Sequence, residues 1–201
     1  MMGFALSSTH VIMWAVPTLH RRSHTMQFIT PKRLWLLLTL GSLTLAIASL
    51  VLTAILHLHP CYLCVFQRIL YFLIAIFGII GFLSYPRFAT FIFGALVILI
   101  ALTGAITAGY QVWLQAQPGD EFSCSPAEPN AIELMVIWLG GISPTLFAAT
   151  GNCASKELEI FTLSLAQWSF LGFITNIILA SWALVMHIRF RLQSSHKSIT
   201  T

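Results

Sequence analysis

Two cysteines three residues apart and an arginine one turn further on are the residues of this chain best equipped for chemistry. They lie in His57-Leu58-His59-Pro60-Cys61-Tyr62-Leu63-Cys64-Val65-Phe66-Gln67-Arg68, where one long apolar run ends and another begins. Sulfurs at Cys-x-x-Cys spacing can close a disulfide across the first turn of a helix. The positive end of that helix, with any nearby cation, favours the thiolate, which is the attacking form of the thiol. Arg68 follows Cys64 by four residues and so shares its helical face. A guanidinium near hydrocarbon is costly, which marks it as functional. It can stabilise the Cys64 thiolate and the negative charge that develops on an acceptor's oxygen. The plainer alternative is an arginine that snorkels to the headgroups.

Two further cysteines, Cys124 and Cys153, are widely spaced in one polar loop. The tight pair sits where a membrane-soluble redox partner could reach it, and the wide pair sits on a mobile, water-exposed loop open to a soluble protein. Thiol–disulfide exchange through mixed disulfides can carry electrons from one pair to the other. Two inert staples are the structural alternative, and pairing is not fixed by sequence alone. A Cys124–Cys153 staple would contribute about 3 kcal/mol in the loop-entropy model. It would leave the Cys-x-x-Cys unexplained, so the relay is the better account.

The elements that must position these sulfurs are membrane helices. Of 201 residues, 58% are hydrophobic and 8% charged, against about 25% charged in soluble domains. Four segments reach the roughly 20 apolar residues that a span requires: about 34–56, 65–84, 88–110 and 165–188. The fold class expected is an all-α, integral membrane four-helix bundle, with a long extracytoplasmic loop (about 111–164) carrying a short interfacial helix. Arg21, Arg22, Lys32 and Arg33 precede the first span, Arg87 lies between the second and third, and Arg189, Arg191 and Lys197 follow the fourth. The positive-inside rule makes that side cytoplasmic. All six acidic residues (Asp120, Glu121, Glu128, Glu133, Glu157 and Glu159) and all four cysteines map to the opposite side or its membrane edge, the side on which disulfides persist in bacteria. The net charge of +4 therefore reflects topology, and no nucleic-acid partner is taken from it.

Along the chain, residues 1–31 are expected to form a cytoplasmic extension. Their apolar patch precedes His20-Arg21-Arg22, the wrong charge order for a secretory signal, and Met26 is an alternative start. Residues 32–190 form the membrane domain and 191–201 a cytoplasmic tail. Pro60 suits the start of the second span. A tight turn is expected around Tyr85-Pro86-Arg87, and Gly78, Gly81, Gly94, Gly104 and Gly109 can let helices approach closely. Ala131–Leu139, apolar but too short to span, reads as a helix in the interface or packed on the bundle. Gly151-Asn152-Cys153 places the last cysteine on a turn.

Cys61–Arg68, the four-span layout, Ala149-Thr150-Gly151-Asn152-Cys153-Ala154 and Gln167-Trp168-Ser169-Phe170-Leu171-Gly172 together resemble the DsbB family of bacterial disulfide-bond formation proteins, over about residues 32–190. The resemblance implies a protein-thiol:quinone oxidoreductase of the bacterial inner membrane. On it, Cys124 is the cysteine attacked by a reduced DsbA-type periplasmic oxidase, and Cys153 is its loop partner, which exchanges with Cys61. Cys64 meets ubiquinone or menaquinone, and Arg68 supports the quinone site. Some members carry a histidine just after the third span. The matching place here is Val112, beside Gln111, which puts quinone preference in question. A vitamin K epoxide reductase-like protein would place its Cys-x-x-Cys late in the chain rather than at the second span. The non-enzyme alternative is zinc or copper binding or transport through His57, His59, Cys61 and Cys64; the favoured reading assigns no metal.

Overall fold

The computed structural model describes residues 30–85, 87–117, 131–156 and 158–199. The expectations for the N-terminal extension and for Cys124 and the turns around it lie outside these residues. The described helices fall within one unit, Pro31–Thr201.

Four helices carry the fold: α1 (Pro31–Ile55), α2 (Tyr62–Leu83), α3 (Ala89–Ala116) and, after intervening short elements, α6 (Leu165–Ile199). Each contains a stretch long and apolar enough to cross a membrane. The chain is thus a multi-pass membrane protein with an all-α bundle. Neighbours in sequence pack side by side, and α6 closes the ring against both α1 and α3.

The bundle is built as helices in lipid must be. Lipid tails are as apolar as leucine, so close packing rather than hydrophobicity drives helix association. The buried face of α3 is accordingly a stripe of small residues, Thr90, Gly94, Ala101, Gly104, Ala105 and Ala108. Large side chains of the other helices fill the space that stripe leaves. A β-carbon at Gly104 would strike the Phe173 ring, and one at Gly94 would meet Leu184. Gly78 and Gly81 accept Thr39 and Trp35 in the same way, whereas Gly109 makes only ordinary contact with Phe170. Tyr71 stacks on Phe173 at 4.2 Å between ring centroids and donates to the Ser169 carbonyl at 2.7 Å. Large apolar side chains such as Leu37, Leu99, Ile106 and Ile178 face outward, as a lipid-facing surface requires.

Two helices outrun their apolar segments. The expected third span stops at Tyr110, but α3 continues to Ala116 because Gln111 and Leu114, three residues apart, extend its buried face. Gln111 therefore belongs to a helix and not to the loop. Likewise α6 continues past Ile188 through what the sequence reads as a tail.

Between α3 and α6 lie α4 (Ala131–Ile142), the short α5 (Pro144–Phe147) and a two-stranded hairpin, β1 (Glu159–Ile160) with β2 (Leu163–Ser164). The sequence does not announce the hairpin. Its turn residues Phe161 and Thr162 have φ of 52° and 65°, the left-handed conformation that two-residue hairpin turns demand. The expected short helix is α4. Of its residues only Val136 is buried, while Leu134, Ile137, Trp138 and Ile142 are exposed.

Candidate active site

Cys61 caps α2 and Cys64 lies in its first turn, with Val65 N–H closing the turn on the Cys61 carbonyl at 3.1 Å. The two sulfurs are 3.2 Å apart. Pro60 immediately precedes that cap and lies outside the helix, where its carbonyl stays open to other partners.

Cys153 is brought onto this pair by backbone hydrogen bonds and one side-chain contact. The N–H groups of Thr150 and Gly151 both donate to the Pro60 carbonyl, at 3.0 and 3.2 Å. His59 Nδ1 lies 3.2 Å from Thr150 Oγ1. Gly151 lies so close to the His59–Pro60 segment that a β-carbon there would overlap the His59 carbonyl oxygen. Asn152 then starts a turn: its carbonyl accepts from the Ser155 N–H at 3.2 Å and its Oδ1 from the Ala154 N–H at 3.0 Å. Cys153 is carried on that turn, as its neighbours suggest, and clusters with Cys61, Leu63 and Leu114.

One expectation is corrected here. The sequence places Cys153 on a water-exposed loop, yet it is fully buried against Cys61. The backbone pairing with Pro60 pulls it in. Cys61, Cys64 and Cys153 are thus assembled, while Cys124 lies outside the described residues.

Cys61 precedes the α2 span, and its thiol is pushed well above the ordinary thiol range. The hydrogen bond with Cys153 is the main cause; burial adds to it, and contact with Cys64 opposes it. In the reduced protein, Cys153→Ala removes the largest of these influences, so more Cys61 thiolate is present at any given pH. Alkylation of Cys61 at pH 8, followed by mass spectrometry, is expected to quicken about fivefold, the worth of one hydrogen bond of about 1 kcal/mol. An unchanged rate would show that Cys153 has no hold on Cys61.

Arg68 is buried, as are Cys61 and Cys153, while Cys64 is half-buried. Its Nε donates to Ser49 Oγ at 3.0 Å, its Nη2 to Thr53 Oγ1 at 2.9 Å and the Ser49 carbonyl at 3.4 Å, and its Nη1 to the Leu146 carbonyl of α5 at 3.1 Å. These partners are all neutral oxygens. They fix the guanidinium without cancelling its charge, which leaves it able to attract an anion. The side chain does not run out to the surface as a snorkelling arginine would.

Beside Cys64 and Arg68 opens a cavity of about 260 Å³ between α1, α2 and α6. Leu45, Ala48, Leu52, Tyr71, Leu165 and Trp168 give it apolar walls, and Cys64, Gln67 and Arg68 supply polar groups. It falls just below the roughly 300–1,000 Å³ of drug-sized ligand sites. Trp168 is held by donating to the Ile160 carbonyl of the hairpin at 3.1 Å.

Two residues of the site escape a reading of the sequence. Gln111 Nε2 lies 3.0 Å from Cys64 Sγ and 3.5 Å from Cys61 Sγ, and Gln67 Nε2 donates to Gln111 Oε1 at 2.9 Å. Val112, the expected counterpart of a family histidine, is only half-buried; Gln111 is the residue that faces the sulfurs. The pattern Cys64-x-x-Gln67 is a usable signal, since it places Gln67 one turn from the sulfur. Nothing local marks Gln111. Among the described residues, His57, His59, Cys61 and Cys64 included, no group of three or more His, Cys, Asp or Glu side chains is placed to hold an ion.

The family model described as disulfide bond formation protein DsbB matches residues 31–183. The chain is 42% identical over 144 residues to disulfide bond formation protein B of Dechloromonas aromatica, covering 71% of this chain and 86% of that one. It is 32% identical over 154 residues to disulfide bond formation protein B 1 of Pseudomonas aeruginosa, covering 76% and 93%.

Proposed function

The chain belongs to the DsbB family of disulfide bond formation proteins, and from that premise we propose that it is a protein-thiol:quinone oxidoreductase, reoxidising a DsbA-type dithiol oxidase with ubiquinone or menaquinone as acceptor. Family membership makes it a disulfide-forming oxidoreductase. The observation that carries the finer reading is the line of sulfurs Cys153, Cys61 and Cys64 ending beside a cavity that holds Arg68.

A thiolate of the partner attacks Cys124 in a Cys124–Cys153 disulfide, forming a mixed disulfide and releasing Cys153. Cys153 attacks Cys61, breaking a Cys61–Cys64 disulfide and releasing Cys64 as the thiolate. The partner's second thiol then resolves the mixed disulfide and leaves oxidised. Cys124 recaptures Cys153 and frees Cys61, so two electrons and two protons now reside on Cys61 and Cys64. A quinone bound in the cavity supplies the two-electron acceptor that restores their disulfide. Throughout, the backbone pairing at Pro60 keeps Cys153 in line with Cys61. Arg68 supports negative charge at Cys64 and at the neighbouring ring oxygen, and the apolar walls exclude water.

The arrangement fits a bacterial inner membrane protein with cytoplasmic termini and periplasmic cysteines. Lys32, Arg33, Arg87, Arg189 and Arg191 fall at one end of the bundle and the sulfurs at the other. The apolar α4 is read as lying in the interface above the sulfurs.

Stopped-flow absorbance of the purified protein with quinone and reduced DsbA tests the proposal. A thiolate–quinone charge-transfer band and stoichiometric quinol are expected. Oxidised DsbA without quinol would rule out quinone as the acceptor, and no reaction would rule out the enzyme.

A further inference from the structure

We propose that Gln111 is a catalytic residue whose side-chain N–H groups hold the Cys64 thiolate, and that Gln67 is a positioning residue that keeps the Gln111 amide turned that way. The inference rests on the thiol:quinone reading for the purpose of that thiolate, and adds residues which that reading does not use.

A carboxamide has a donating end and an accepting end. Turned one way, Gln111 offers two N–H donors to the sulfurs; turned the other way, it offers an oxygen that repels a thiolate. The choice between the two is made next door. Gln67 Nε2 donates to Gln111 Oε1 at 2.9 Å, which ties the oxygen to α2 and directs Nε2 at Cys64 (3.0 Å) and Cys61 (3.5 Å). Both glutamines are at least nine-tenths buried. Water therefore does not compete for the N–H groups, and a hydrogen bond to a charged group is worth more there than in solvent. The two amides stand on different helices, α2 and α3, so the sulfur pair is gripped across a helix interface. One Nε2 reaches both sulfurs, so the same donor can follow negative charge as it moves between Cys61 and Cys64 during exchange.

The amide is also neutral. Arg68 supplies charge on one side of Cys64 and Gln111 supplies direction on the other, without adding a group that titrates near neutrality.

The test is a thiolate ultraviolet titration of the reduced full-length protein in detergent, without quinone, on Gln111→Met, Gln67→Met and the double variant. Gln111→Met is expected to leave about tenfold fewer Cys64 thiolates at a given pH, the lower end of what a hydrogen bond to a charged group provides. Gln67→Met acts in the same direction but more weakly. The double variant matches Gln111→Met alone, because Gln67 acts only through Gln111. An unmoved titration in Gln111→Met, or full additivity in the double variant, overturns the proposal. If Gln111→Met does not fold, Gln111→His carries the test. Its ring N–H restores the thiolate and adds a titration between about pH 5 and 8; absence of that added titration counts against the proposal. Because no quinone is present, failure of wild-type protein to reduce quinone would sink the enzymatic reading while leaving this result standing.

Discussion

A chain carrying Gly151→Ala is expected to keep near-normal quinone reduction with a small dithiol as donor, yet to lose oxidation of a dithiol protein by about 100-fold or more. The reason is space. The added methyl has nowhere to go, because the His59 carbonyl oxygen occupies its place. The segment must lift, and both N–H bonds to the Pro60 carbonyl go with it. Cys153 then leaves Cys61, and a displacement of about 1 Å is enough to cost 10²-fold in a reaction that depends on alignment. Cys61, Cys64 and Arg68 are untouched, so electrons delivered directly to that pair still reach the acceptor. Steady-state assays with the two donors separate the outcomes. Cys124→Ser should give the same split, since it cuts the relay one sulfur earlier. Equal losses with both donors would place Gly151 in the stability of the bundle instead.

Arg68→Met is expected to slow electron transfer from Cys64 to quinone by about 10²–10³-fold, the range seen when one preorganised electrostatic donor is removed from a site. Methionine keeps much of the length and removes the charge. Arg68→Lys keeps the charge but cannot span Ser49, Thr53 and Leu146 together, so it should fall between, about tenfold slow. Single-turnover mixing of reduced protein with quinone isolates this step from the earlier exchanges. A rate that does not change in Arg68→Met would mean the guanidinium only braces α5 through the Leu146 carbonyl.

The contrast between these two residues shows what the sequence could reveal. Arg68 is legible because its reason is local: a cation one helical turn from a thiol, inside an apolar run, is held there against a steep solvation cost. The four spans are legible for a similar reason, since each is a continuous block of apolar side chains. Gly151 can be read only as a turn, because the carbonyl it avoids belongs to a residue 92 positions earlier. Burial of Cys153 follows from the same long-range pairing. Gln111 is hidden differently. The apolar run stops at Tyr110, and polar glutamines after it read as loop, but helix α3 runs on to Ala116, past its last buried side chain, Leu114, and does not stop where its hydropathy falls. Hydropathy reports where lipid ends and says little about where a helix does.

The cavity beside Cys64 has its walls on α1, α2 and α6, helices whose other faces carry large exposed apolar side chains. On the proposed function, its acceptor would come from the lipid rather than from water. A long-tailed quinone, on that reading, would arrive by gliding within a plane, its supply set by its abundance among the lipids. The protein-facing sulfurs answer to a different reservoir, in three dimensions. On the proposed function, one small bundle would thus join two pools that never mix.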